Sequence, residues 1–371
     1  MKIIFAPTDG RANNPTGGIG EDVMAKLRVR GDFPTIQAAV DRAEAGDVIV
    51  VEEGVYRESV IIEKEGISLL GEGAVLVGGL SDRNSDRDSD LGSVEVSGRR
   101  GNQGCTLADG FELRRADRIC IEGFCLREFD SSGFFCHDST RIVIRNCSVE
   151  NCGTDGIYLT RCEDVHLFCS DFSANGVCGI EVHDSPDLLA AGCRVISNGG
   201  NGIYCGSRDS AGINLRGCEI SRNNGAGILA EGCNIGIIEC EIMGNVMDGI
   251  RLCDCPGSEI KCTSVSAQWE NGCVINSDRC EISESRIASN EGTGLYITGD
   301  GCDVTSNLIS RNGGSGILLT GIRNYIASNT VTQNTPFDIV RAAPNNVIKK
   351  NVTCNDNPPL NFCDRNPSRR E

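Results

Sequence analysis

A glycine followed by an apolar residue returns at Gly133, Gly156, Gly179, Gly202, Gly227, Gly249, Gly272, Gly294 and Gly316, always 22 to 25 residues after the last, with Asp338 of PFDIVR at the next step. A second column keeps the same step: Cys147, Ser170, Cys193, Cys218, Cys240, Thr263, Ser285, Asn307, Asn329 and Asn351. A third lies four residues before the glycine and reads Asn175, Asn198, Asn223, Asn245, Gln268, Asn290, Asn312 and Asn334. Chance does not produce columns that stay in step. The chain is a repeat protein, in which each unit buries its apolar face only by stacking on its neighbours.

Leucine-rich repeats have a similar period, but here Leu is sparse. Gly-Ile-x-apolar dominates, and triplets such as RIVIRN, VHLF and YIAS recur without a helical pattern between them. The reading is an all-β chain: a single-stranded parallel β-helix, a solenoid whose turns each supply two or three short strands. Amides stacked at the strand spacing of about 4.8 Å can bond each other and the turn backbone, so the third column predicts an asparagine ladder. About eleven coils between Cys105 and Thr353 make a stack of roughly 50 Å.

A stack has open ends, and open strand edges invite aggregation unless covered. Ile36, Ala39, Val40 and Ala43 follow Thr35, a good N-cap residue, at helical spacing, which predicts a capping helix over the first coil. Residues 1–34 read as an N-terminal extension and 35–104 as the cap and first coils, with a charged solvent loop, SDRNSDRDSD, at 81–90. Residues 105–353 read as the repeats and 354–371 as a C-terminal cap or tail.

Lys and Arg number 35 against 52 Asp and Glu, a net charge of −17, which disfavours nucleic acid, whose phosphates need a basic stripe. No apolar run is long enough for a membrane span, and MKIIFAP is too short for a secretory signal. The expectation is a cytoplasmic chain, or an extracellular one if an export signal was removed. The 22 cysteines include no CxxC and one CxC, Cys253-Asp254-Cys255, so no zinc or redox signature is present and no metal ligands are assigned. They read as small buried hydrophobes. Disulfide rungs between coils are the rival arrangement, and they require a dihedral that stacked thiols rarely have.

The run TIQAAVDRAEAGDVIVVEEGVYRESVII, with ISLLGEG after it, resembles the amino-terminal signature of the pectin lyase-like superfamily of right-handed parallel β-helices. The Gly-Ile and Asn columns resemble that superfamily's short repeats, as in NosD-like and right-handed β-helix region proteins. The resemblance covers residues 33–353 and implies carbohydrate roles: lyases, hydrolases, epimerases and esterases. The GHG and RIK strings of polygalacturonases are absent, as are the DPHD string of mannuronan epimerases and the QAV and DFIFG pattern of pectin esterases. No branch-specific catalytic set carries over.

In a strand that starts at the column glycine, the first and third following residues point inward and the second outward. The outward line runs Phe135, Tyr158, Glu181, Tyr204, Leu229, Arg251, Val274, Tyr296 and Leu318. It reads as cross-strand packing of a half-exposed sheet or as an aromatic floor for sugar rings, with Phe135, Tyr158, Tyr204 and Arg251 as candidate substrate contacts. Two positions on, His137 and His183 occupy one column, each in an HDS triplet, with Thr160-Arg161 between them. Proton abstraction at C5 of a uronate, or activation of water, needs a tuned base and an opposite charge. His183 or His137 is the candidate base, Arg161 the clamp, and Glu181, Asp184 or Asp138 the acid or the orienter. A surface charge ladder beside turn histidines is the plainer alternative.

The functional expectation is a β-helix that engages a polysaccharide or oligosaccharide, as a polysaccharide lyase or uronate epimerase on an acidic glycan. The rival is a non-catalytic glycan-binding or structural repeat protein. No organic cofactor is expected, and the carboxylate-rich SDRNSDRDSD segment suits weak Ca²⁺ binding, which would bridge an acidic glycan to an acidic surface. Trp269 reads as a packing residue, with an exposed ring that stacks on sugar as the rival; His166 reads as a surface strand residue, and Cys354 and Cys363 as free thiols that would pair in an oxidising space.

Overall fold

The computed structural model describes residues 25–79, 108–206 and 212–355. The readings on residues 1–24, on the 81–90 loop and its Ca²⁺, and on the tail with Cys363 lie outside the described residues.

Each coil repeats one path. A strand after the column glycine (Phe134–His137) is followed by a corner, a second strand (Thr140–Arg145), another corner, a third strand (Ser148–Glu150) and the asparagine turn back to the next glycine. Equivalent strands pair in parallel with those one coil above and below, forming sheets of 12, 14 and 13 strands. We call these the glycine-led, long and third sheets. The result is a right-handed parallel β-solenoid of about thirteen turns.

Alternation along each short strand makes the core. Ile157, Leu159, Leu167 and Phe172 are fully buried, and so are their counterparts in neighbouring coils. Each such side chain contributes about 1.5–3 kcal/mol. The column glycines have a steric cause: a Cβ on Gly179 would stand 3.0 Å from the Gly202 carbonyl oxygen and 2.3 Å from Val195 Cγ1. The corner residues adopt left-handed backbone, as at Asp138 (φ 51°), Arg161 (φ 51°) and Asp184 (φ 45°), which turns the chain between sheets in one step.

The asparagine ladder is continuous. Asn175 Nδ2 donates to Asn198 Oδ1 at 3.1 Å, and the pattern passes through Asn223 and Asn245 to Gln268. The Cys/Asn column forms a second ladder, with Cys147 N–H donating to Ser170 Oγ at 3.2 Å and Asn307 Nδ2 to Asn329 Oδ1 at 3.0 Å. A third, not anticipated, follows the first corner, where Cys302 N–H donates to Asn324 Oδ1 at 2.7 Å and Asn324 N–H to Asn346 Oδ1 at 2.8 Å. All cysteines among the described residues are free thiols, most of them buried.

Helix is confined, among the described residues, to Ile36–Arg42, capped by the Thr35 side chain accepting from Ala38 N–H at 3.1 Å. A strand precedes it: Lys26–Val29 pairs with Val48–Val51 in the long sheet, so the solenoid starts inside the stretch read as an extension. Its KLRV sequence alternates polar and apolar residues, but over only four positions, the shortest run that marks a strand. Trp269 is also corrected. It is 69% exposed rather than packed, because the chain at Trp269 already runs outside the turn whose inward position Gln268 occupies. No helix among the described residues is long and apolar enough to cross a membrane.

Candidate active site

The outer face of the glycine-led sheet carries the predicted residues, because parallel pairing in register places equivalent positions of successive coils side by side. Glu181 pairs with Tyr158 on one side and Tyr204 on the other, and Thr160 lies between His137 and His183. The outward residues are half-buried by their neighbours. Ring centroids follow one another at 5.2 Å for Phe135 and His137, 5.6 Å for Phe135 and Tyr158, 5.3 Å for Tyr158 and His183, and 5.4 Å for His183 and Tyr204. The result is an aromatic and imidazole strip across four coils.

Within the strip, His183 Nε2 stands 2.7 Å from Glu181 Oε1. Tyr158 and Tyr204 flank the imidazole, and Tyr204 Oη donates to Glu231 Oε2 at 3.0 Å. Burial first, then the Glu231 carboxylate, push the Tyr204 phenol well above its ordinary pKa, so it remains a donor at neutral pH.

His137, beside Phe135 at one end of the strip, also contacts a chain of charged groups. Its Nδ1 lies 3.2 Å from Asp138 Oδ2 and its Nε2 3.8 Å from Glu112 Oε1. Glu112 in turn accepts from Arg114 at 2.7 Å. Arg161 grips Asp138 from the next coil with two bonds, Nε to Oδ1 at 2.6 Å and Nη2 to Oδ2 at 3.0 Å. These bonds, then His137, hold the Asp138 carboxyl down at about 2. Arg251 pairs with the fully buried Asp248. The predicted set thus falls into two groups: Glu181 and His183 among the tyrosines, and His137, Asp138 and Arg161 in the ion ladder. Asp184 is the corner residue after His183, and Phe135 begins the strip.

Glu112, Arg114 and Glu231 were not singled out in the sequence. They occupy the same outward and flanking columns, one coil before Phe135 and one coil after Tyr204, so extending those columns in both directions finds them. A recess of about 510 Å³ lies elsewhere, at the corner between the long and third sheets, lined by Asn146, Cys169, Asp171 and Arg194. His166 is on the long sheet, 3.2 Å from Asp164, as a surface strand residue.

A family model described as right handed beta helix region matches residues 101–232 and 207–353. The chain belongs to that family. No curated protein matches it in sequence. Among solved structures, the A-module of the Azotobacter vinelandii mannuronan C-5 epimerase AlgE6 superposes with a TM-score of 0.54 at 15% identity, covering 87% of this chain and 95% of that one. The A-module of AlgE4 from the same organism gives 0.55 at 16% identity, covering 85% and 94%. At these identities the likeness is one of fold, the pectin lyase-like β-helix.

Proposed function

We propose that this family member engages a polysaccharide along the strip from Phe135 to Tyr204 and that His183 acts there as the base in proton abstraction at C5 of a uronate. The observation that carries this reading is the Glu181 and His183 pair at 2.7 Å, set between two tyrosine rings. Glu181 orients the imidazole and stabilises its protonated form after abstraction, as a carboxylate beside a catalytic histidine does. The Tyr158 and Tyr204 rings give a sugar an apolar floor, while Tyr204, kept protonated beside His183, is a candidate proton donor. Elimination of the C4 substituent would make the enzyme a lyase, and return of the proton an epimerase.

Arg161 is paired with Asp138 and serves in this reading as a positioning residue for the ladder beside His137 rather than as a free clamp. That pairing favours the second reading, a glycan-binding face without turnover. Helix Ile36–Arg42 we take as cover for the first coil, supported by its buried Ile36, Ala39 and Val40.

The experiment incubates the protein with polymannuronate, polygalacturonate and neutral polysaccharides in deuterated water. Unsaturated product is followed by ultraviolet absorbance and C5 deuterium by NMR. Deuterium or unsaturation lost in His183→Ala with retained binding supports the enzyme, and binding without either product supports the second reading. Failure to bind any polymer removes both.

A further inference from the structure

We propose that Asp155, Cys178 and Glu181 form a binding site for a divalent cation of the Zn²⁺ class. Among the described residues, they are the group of three metal-capable side chains whose ligand atoms all lie within 4.8 Å of one another. Asp155 and Cys178 immediately precede the column glycines of successive coils, and Glu181 is the outward residue three positions after Cys178.

Two of the three ligands are already held. Cys178 N–H donates to Asp155 Oδ1 at 2.8 Å, and His183 Nε2 fixes Glu181 Oε1 at 2.7 Å. The Cys178 thiol is 4% exposed and Asp155 5%. Burial, then the charges of Glu181 and Asp155, push the thiol upward, so without a cation it stays protonated between two carboxylates. A bound cation reverses that preference, because a coordinating thiol is deprotonated.

The repeat itself supplies an independent comparison. Asp248 occupies the position of Asp155 four coils further along, and its Oδ1 accepts Asn271 N–H at 3.1 Å, as that of Asp155 accepts Cys178 N–H. There the Arg251 guanidinium, three positions after Asp248, closes against the buried carboxylate. The residue three after Asp155 is Tyr158, and the one three after Cys178 is Glu181. The slot that holds a cationic side chain at Asp248 therefore presents a thiol and a second carboxylate at Asp155.

A thiolate with two carboxylates suits Zn²⁺ and its relatives, with one position left open toward the strip. Ca²⁺, which takes six to eight oxygen ligands, is disfavoured by the sulfur. The inference is independent of whether the strip engages a glycan.

The test uses the full chain, stripped with chelator and titrated with Co²⁺ alone. The expected result is a saturable thiolate-to-cobalt charge-transfer absorption that Zn²⁺ abolishes and equal Ca²⁺ does not. The band is lost in Cys178→Ala, and Asp155→Asn weakens Co²⁺ binding at least tenfold. His183→Ala weakens it by about 10–100-fold without removing the band, as loss of a residue holding a metal ligand does. If Cys178→Ala does not fold, Cys178→Ser is read in its place. Absence of the band, the same band in the Cys178 variant, or displacement by Ca²⁺ as effective as by Zn²⁺ would overturn the assignment.

Discussion

Asn223 Oδ1 accepts two bonds from the coil before it, from Asn198 N–H at 3.0 Å and from Asn198 Nδ2 at 2.9 Å. Asn223 Nδ2 donates to Val195 O at 3.1 Å and to Asn245 Oδ1 at 3.0 Å. The residue is fully buried, so Asn223→Ala strands donors and acceptors that water cannot reach. Each costs about 1–3 kcal/mol, and the expected loss of stability is at least about 2 kcal/mol. Urea unfolding should show a lower midpoint, whereas a substitution at exposed Asn224 should leave it in place.

Gly179 tests the close approach of coils. Gly179→Ala drives a Cβ into the Gly202 carbonyl and the Val195 side chain, with an expected destabilisation of about 1–3 kcal/mol, the usual cost of overpacking. Thermal unfolding should begin at a lower temperature. Gly217 has open space around its Cβ position but left-handed backbone (φ 60°), so Gly217→Asn, which tolerates that backbone, should be nearly neutral.

The pairing of Asp138 with Arg161 predicts a pH dependence of definite sign. The folded carboxyl sits at about 2, below the value of about 3.9 in an unfolded chain, so unfolding takes up a proton between them. The pair's contribution is therefore present above about pH 4 and lost as pH falls toward about 2. Because Asp138 is exposed, the contribution is small. In acid titrations, wild type and Asp138→Asn should differ above that window and converge below it.

Thiol labelling separates the cysteines by burial. Burial pushes Cys147 and Cys205 up to about 12, which leaves almost no thiolate near pH 8. Exposed Cys169 and Cys354 should be alkylated in the native protein, and buried Cys147, Cys193, Cys205 and Cys273 only after denaturation. Peptide mass mapping of labelled protein reads this directly, and labelling of a buried position at the exposed rate would contradict the packing.

The solenoid was legible because its two strongest constraints are local and periodic. The glycine column marks where coils touch, and the amide column marks a buried turn that must bond itself. The partial ladder through Cys302, Asn324 and Asn346 was not, since serines and cysteines dilute that column elsewhere. In the candidate site, alternation put Tyr158, Glu181 and Tyr204 on one outward line, as observed. What stayed hidden are the contacts between different columns of different coils: Arg161 gripping Asp138, and Asp155 meeting Cys178 and Glu181. Those depend on corner backbone and side-chain reach, which a repeat alignment does not show. Trp269 was misread for a related reason, because one step past an inward amide the turn already faces solvent.

The most direct test of the strip is affinity electrophoresis through polymannuronate, polygalacturonate and neutral polysaccharide gels, comparing wild type with the Tyr158→Ala, Tyr204→Ala double variant. Each sugar–aromatic contact of this kind is worth on the order of 1 kcal/mol, so the pair should account for at least about a tenfold change in affinity. The account predicts retardation of the wild type by at least one polymer and its loss in the folded double variant. Retardation by none, or equal retardation of both proteins, would contradict it.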